Sequence, residues 1–281
     1  MGRVRVVVDS TADLPADVYA KHDLIVVPLT VHFGEKAYLD HTDLKAEDFY
    51  AKLASTDVLP YTSPPTTGAF LRVYEDLTAG GDEVVSIHLS GKLSQTVHHA
   101  ALARELLPGA AIEVIDTGSA SLGTGLAAMA AVRAAATGKE AHVVAEAARA
   151  VAARLQVLFV VDSLTHLARN GRIGGARALL GKLLRAKPIL TVTNGSVAPA
   201  ATARGRDRAL QRVTDLLIRR IPPRSRVHLA IAYSGDRWEA EALLKDLSAH
   251  YRVDGAIIGM LGPVIGVHTG PGSVGVCAYM T

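Results

Sequence analysis

One histidine, His268, stands inside a run dense in glycine and proline, GPVIGVHTGPG over residues 262–272. Glycine admits a close backbone approach and proline sets turns, so this run frames an imidazole and the neighbouring Thr269 hydroxyl. Elsewhere short hydroxyl side chains recur in similar settings: Ser10 and Thr11 after Asp9, Thr62 and Ser63, Ser90 and Ser94, and Thr117 after Asp116. Small donors converging from distant segments suit an anionic head group. An imidazole adds a group that titrates near neutral pH and serves as donor, acceptor or cation. The chemistry these residues point to is anion recognition.

No self-sufficient catalytic signature accompanies them. GGARALLGKLL has the wrong spacing for a phosphate loop, and Leu183 stands where a Ser or Thr would hold magnesium. Gly123-Thr124-Gly125-Leu126-Ala127-Ala128 matches GxGxxA, but a long loop separates it from its strand and no acidic partner for a ribose follows. Asp116-Thr117-Gly118-Ser119 is a single copy of a triplet whose protease chemistry needs two carboxylates sharing a site. His98 and His99 are adjacent, so on a helix they face apart, unlike a spaced metal pair. No metal and no cofactor is expected.

The elements that must position the hydroxyls and the histidine alternate along the first half. RVRVVV, LIVVPLTV, EVVSIHL and AIEVI read as buried strands, and the stretches after Pro15, Thr42, Thr66, Ser94 and Ser121 read as helices. Such alternation predicts a parallel sheet covered by helices. Several strands run directly into Asp or Ser, at the carboxyl edge where parallel sheets bind ligands; helix caps and turn formers have the same composition. After an Ala-rich helical stretch over about 121–154 the pattern changes. QVLFVVDS, a short helix, the loop ARNGRIGG and the helical ARALLGKLL lead to a hairpin, PILTVT and SVAPAATA, joined at Asn194-Gly195. A helix from 206, the strand VHLAIAYS and a helix over 237–250 precede the glycine-rich end. The fold class is α/β with two domains: an N-terminal parallel-sheet domain over 1–153 and a C-terminal domain with a mixed sheet over 154–281.

Composition narrows the partners. The 281 residues are 49% hydrophobic and 20% charged, enough for a sizeable core. Net charge is +3 with the two signs interspersed, and aromatics are 5%, which excludes a stacking surface for nucleic acid. The lone Cys277, within SVGVCAYM, reads as a buried small hydrophobe and fits a reducing cytoplasm. Neither a signal peptide nor a membrane span is apparent, so a cytosolic protein is expected.

VVVDSTADLP, YTSPPTTGAF, IHLSGKLSQTVHHA, VIDTGSASLGTG, LARNGRIGG and GPVIGVHTGPGSVGV, in this order and spacing, resemble the DegV family over essentially the whole chain. The resemblance implies a long-chain fatty acid held between two domains, in a protein that carries it without catalysing a reaction itself. It implies a partner too: an ATP-dependent fatty acid kinase subunit that phosphorylates the bound carboxylate, with transient membrane-surface contact for acyl exchange. By motif, Thr62 of YTSPPT, with Ser63 beside it, and Ser94 of GKLSQT resemble the hydroxyls that hold the carboxylate. His268 of GVHTGPG resembles the family's head-group histidine, and Arg172 of RNGRIG a basic residue near it. Arg204 resembles a residue that engages the kinase. Gln95 departs from the family's usual glycine after the Ser94 position, and Val97 replaces a common aromatic.

Two other readings stay open. In one, the chain is a stand-alone enzyme acting on a small anionic metabolite, with His268 as acid/base. In the other, it is a sensor whose ligand occupancy controls docking of another protein.

Overall fold

Short runs of branched apolar residues bounded by polar turns form the strands here, and amphipathic or Ala-rich stretches form the helices. A computed structural model describes residues 2–181 and 186–281. The first half runs β1 (Val4–Asp9), α1 (Ala16–Lys21), β2 (Ile25–Val27), β3 (Thr30–Phe33), β4 (Lys36–Leu39), α2 (Ala46–Ala54), β5 (Tyr61–Ser63) and α3 (Thr67–Ala79). It continues through β6 (Glu83–His88), α4 (Thr96–Glu105), β7 (Ile112–Asp116), α5 (Leu122–Ala135) and α6 (Ala141–Ala152). The second half runs β8 (Gln156–Val160), α7 (Thr165–Arg169), β9 (Lys187–Thr193), β10 (Ser196–Ala203), α8 (Arg206–Arg220) and β11 (Arg226–Tyr233). It ends with α9 (Arg237–His250), β12 (Arg252–Met260), α10 (Pro263–Thr269) and β13 (Val274–Met280).

The first half holds the expected parallel sheet, in the order β2-β1-β6-β7, and beside it a small antiparallel sheet, β4-β3-β5. The second half forms one mixed sheet, β10-β9-β8-β13-β11-β12, in which β13 runs antiparallel to both its neighbours and β11 pairs with β12 in parallel. The fold class is therefore α/β, with a parallel sheet and a separate mixed sheet. The turn at Asn194-Gly195 has positive φ at both residues, 49° and 77°, as the hairpin signal requires.

Four local readings change. LIVVPLTV, expected as one strand, divides at Pro28, which lacks an N–H and has a fixed φ; β2 joins the parallel sheet and β3 the antiparallel one. The Ala-rich stretch is two helices, parted at Gly138 with φ 72°. ARALLGKLL begins as a 3₁₀ segment over Gly174–Leu179, and its remainder, with Leu183, lies outside the described residues. The glycine-rich end, to which the sequence assigns no element, folds as α10 and β13.

The two sheets share a helical layer. In α6, Ala141, Val144, Ala145, Ala148 and Val151 are buried, the spacing of one helix face. In α5 every residue from Leu122 to Ala131 is buried. A helix apolar all round must be covered on both sides. Here Val8, Ile87 and Ile115 of the parallel sheet lie in the same apolar cluster as Ala230, Ala232 and Cys277 of the mixed sheet. Gly125 permits this closeness, since a Cβ there would stand 2.9 Å from the Ala12 carbonyl oxygen. Ala153 is the C-cap of α6. Helices α8 and α9 cover the mixed sheet's other face through Val213, Leu217, Leu243 and Leu247. Among the described residues no helix is long and apolar enough to cross a membrane.

Candidate functional site

The inner face of the mixed sheet is not fully covered by α5, and the space left over is a cavity of about 1110 Å³, its mouth included. Val157 and Phe159 of β8, Val192 of β9 and Val274–Cys277 of β13 form one wall; Leu29, Leu89, Leu93 and Ala120 face it from the first half. Thr62, Ser94, Gln95, Arg172 and His268 also line it. A mostly apolar cavity with a few convergent polar groups is the usual form of a small-molecule site.

Several hydroxyls in the lining point their hydrogens inward. Ser121 Oγ donates to Asp13 at 2.6 Å, Thr269 Oγ1 to the Ile265 carbonyl at 3.1 Å, and Ser273 Oγ to the Thr269 carbonyl at 3.3 Å. With these hydrogens engaged by protein acceptors, that wall behaves as apolar surface. Thr62 and Ser94 instead pair with groups able to donate as well as accept, His268 Nε2 and Thr96 Oγ1.

Thr62 lies on β5, held in register by pairing of Val31 with Thr62. Its Oγ1 is 3.0 Å from His268 Nε2. Ser94 precedes α4; its Oγ is 2.8 Å from Thr96 Oγ1 and accepts from the Thr96 N–H at 3.3 Å. Ser94 therefore closes a local turn at the helix start and lines the cavity as well. Its loop is held from several directions. The Ser90 N–H donates to the Ser119 carbonyl, Ser90 Oγ to the Gly195 carbonyl, and the Gly91 N–H to Asp116, at 2.7, 2.8 and 3.1 Å. Asp9 binds the Leu89 N–H at 3.0 Å and lies 3.1 Å from His88 Nδ1. Of the acidic strand ends, Asp9 and Asp116 thus organise the loops that carry the site and do not line the cavity themselves.

His268 ends a helix fastened at both ends. The Gly262 N–H donates to Asp13 at 2.9 Å and Tyr50 OH to the Leu261 carbonyl at 3.1 Å. At the other end Asn170 Nδ2 donates to the Val267 carbonyl at 3.1 Å and Ser234 Oγ to the Gly270 carbonyl at 2.9 Å. Gly270, at φ 72°, lets the chain leave past His166, whose ring would clash with any Cβ there. Burial, reinforced by the Arg172 charge, pulls the His268 imidazole down to about 4. It is therefore neutral at pH 7, and its Nδ1 is buried without a hydrogen-bond partner among the described residues.

Arg172 is exposed at the cavity wall, where its Nε donates to the Leu93 carbonyl at 3.2 Å and its Nη1 to the Asn170 carbonyl at 2.8 Å. Gln95 reaches the lining as well, so the departure from glycine puts a side chain at the site. One residue expected at the carboxylate, Ser63, is absent from the lining, and Arg204, expected to engage a partner, lies away from the cavity. Ser63 follows Thr62 in a strand, so its side chain takes the opposite face, where its Oγ lies 2.9 Å from His32 Nε2. Arg204 is exposed in the turn between β10 and α8 and is absent from the lining.

Beneath α10 the fold assembles a group that sequence patterns do not reveal. Asp13 and Asp40 are buried, each 1% exposed, with His41 Nε2 3.7 Å from Asp13 Oδ1. Burial raises both carboxyls, that of Asp40 to about 6. Burial pulls the His41 imidazole down, but the nearby Asp13 and Asp40 carboxyls outweigh this and raise it to about 9. His41 is thus the counter-cation of the pair at pH 7. Asp13 and His41 both have φ above zero, 51° and 60°, a turn geometry that only the folded chain displays. Among the described residues no group of three or more His, Cys, Asp or Glu is arranged to hold a metal ion.

A family model described as "Uncharacterised protein, DegV family" matches residues 3–281. A DegV domain-containing protein of Halalkalibacterium halodurans is 34% identical over 281 residues, covering 100% of this chain and 99% of that protein. A DegV family protein from Thermus thermophilus, whose structure is described as showing fatty acid binding, superposes with TM-score 0.94 at 37% identity, covering 99% of this chain and 100% of that one. DegV from Bacillus subtilis, described as a fatty acid binding protein, superposes with TM-score 0.89 at 30% identity over 100% of both chains. Matched from its third residue to its last, the chain belongs to the DegV family.

Proposed function

We propose that this protein binds a long-chain fatty acid, with the tail in the apolar cavity and the carboxylate at Thr62, Ser94 and His268. The observation that carries this reading is the Thr62–His268 pair at 3.0 Å on the lining of an otherwise apolar cavity. Neutral His268 can donate its Nε2 hydrogen to Thr62 Oγ1, which frees the Thr62 hydrogen for a carboxylate oxygen. The fatty acids bound by the Thermus and Bacillus relatives support the ligand class. Each buried CH₂ contributes about 0.8 kcal/mol, so a long tail supplies on the order of 10 kcal/mol before association costs. Hydrogen bonds to the charged carboxylate add about 1.5–3 kcal/mol each. The tail dominates affinity and the head group sets orientation.

On the same reading the protein is a carrier. A separate ATP-dependent kinase subunit brings the nucleotide; a carboxylate oxygen attacks the γ-phosphorus, giving an acyl phosphate and ADP. Arg172 stands near the head group, exposed Arg204 engages that subunit, and brief contact with a membrane surface exchanges the acyl chain. The cavity lies between two domains divided near residue 153.

Native mass spectrometry of the purified protein, followed by organic extraction and identification of what is released, tests the ligand. A near-stoichiometric fatty acid is expected. A polar metabolite, or a protein that stays empty when fatty acids are added, overturns the reading.

A further inference from the structure

The histidine pair at 98–99, dismissed above as a metal site, has a different use. The hydroxyls of Thr62 and Ser94 stand just ahead of two neighbouring helices, α3 and α4, which pack through Phe70, Tyr74, Ala100 and Ala103. Between Thr62 and α3 lie Pro64 and Pro65, and Pro64 is itself part of the cavity lining. Two successive prolines have no backbone N–H, so hydrogen bonds fix this link only through its carbonyls. The Pro65 carbonyl accepts from His99 Nδ1, one turn into α4, at 2.6 Å. A carbonyl cannot donate, so Nδ1 carries the hydrogen.

We propose that His99 is a positioning residue for the head-group site. Its Nδ1–H bond to Pro65 ties the Thr62 segment to the helix that follows Ser94 and sets the distance between the two hydroxyls. It does not line the cavity and touches no ligand. The assignment rests on the fatty-acid reading and says which residue makes that site's two halves one unit. His99 is part-buried, and its neighbour His98 is exposed, so the ring can be replaced without opening the core.

The test uses oleate labelled with ¹³C at its carboxyl carbon, bound to the full-length protein and observed by NMR, with occupancy read by native mass spectrometry. Wild type is expected to show one narrow bound carboxyl resonance. His99→Ala is expected to bind oleate with affinity changed by less than about fivefold, the scale of one hydrogen bond. Its carboxyl resonance should broaden or shift toward the free value. His99→Asn, whose side-chain amide places an N–H near the Nδ1 position, is expected to restore the wild-type resonance, which general loosening of the fold would not. His99→Phe keeps the ring volume without the donor and serves the same comparison if the alanine variant does not fold. An unchanged resonance in the variants lacking the donor, or a His99→Asn protein that behaves like them, overturns the tie. A wild-type protein that refuses oleate overturns the fatty-acid reading itself, and this assignment with it.

Discussion

Thr62 Oγ1 and His268 Nε2 lie 3.0 Å apart although 206 residues separate them along the chain. One is on an edge strand of the small antiparallel sheet, the other at the end of a helix from the second half. Their meeting closes the polar end of the cavity. Thr62→Ala leaves the buried His268 imidazole without that partner, which costs about 1–3 kcal/mol. Urea unfolding should show the loss as a lower midpoint with an unchanged slope; an unchanged midpoint would mean that the pair does not form in solution.

Acid should weaken the fold through the same histidine. An unfolded histidine takes up its proton near pH 6.5, whereas His268 does so only near 4. Between those values the unfolded chain binds more protons, so stability falls as pH falls. Asp40, raised to about 6, opposes this: folded, it holds a proton that the unfolded carboxyl has already lost. The isolated quantity is therefore the difference between wild type and His268→Asn. That difference should slope downward from pH 6.5 to 4 in thermal melts, and a flat difference refutes the neutral buried imidazole.

Alkali acts at the other histidine. His41, raised to about 9, stays charged in the fold after the unfolded imidazole has lost its proton. Its contribution is complete below about pH 6.5 and is lost as pH rises through 9. Asn tolerates the positive φ at residue 41, so His41→Asn should flatten the loss of melting temperature between pH 7 and 9. Equal alkaline slopes in both proteins would sink the assignment.

Tail length should respond to the strand wall. Val157, on β8 between β13 and β9, is only partly buried because it faces the cavity. Val157→Trp fills part of that space and leaves Thr62 and His268 in place. Fatty acids recovered by extraction should shift to shorter chains, with an 18-carbon chain weakened by more than about tenfold, the worth of two buried methylenes. Recovery of the same chains as from wild type would place the tail elsewhere.

Ser94→Ala separates holding from presenting. The tail keeps the ligand bound, but the carboxylate loses one of its donors. With the proposed kinase subunit and ATP, acyl phosphate formation should fall by at least about tenfold more than binding, the difference a charged hydrogen bond makes in geometry and energy. Equal losses in the two assays would remove the division of labour between tail and head group.

The parts of the fold that follow from local rules were legible in the chain. Thr66 caps α3, its Oγ1 accepting from the Ala69 N–H at 3.2 Å, as the sequence before that helix implies. Asn194-Gly195 makes its hairpin for the same kind of reason, since one dipeptide is enough to favour the turn. LIVVPLTV was read as one strand and divides at Pro28, and which sheet each half joins depends on pairing partners elsewhere in the sequence.

His268, Thr62, Ser94 and Arg172, singled out by their motifs, all line one cavity. Ser63 shows the limit of that reading. A motif names neighbouring residues alike, whereas a strand sends alternate side chains to opposite faces, and Ser63 turns to His32. The cluster of Asp13, Asp40 and His41 had no signal at all. Asp40 and Asp13 are 27 positions apart, and what makes them unusual is burial against one another, which no spacing encodes.

By itself, then, the sequence determined the α/β class and many of its elements, because propensity, periodicity and turn chemistry act over a few residues. Only the tertiary structure decided that the last strand enters the middle of the second sheet, between β8 and β11. The same holds for α5 lying buried between two sheets, and for His99 tying two helix starts together. Those outcomes depend on which apolar faces find each other when water is excluded, and that is a property of the whole chain.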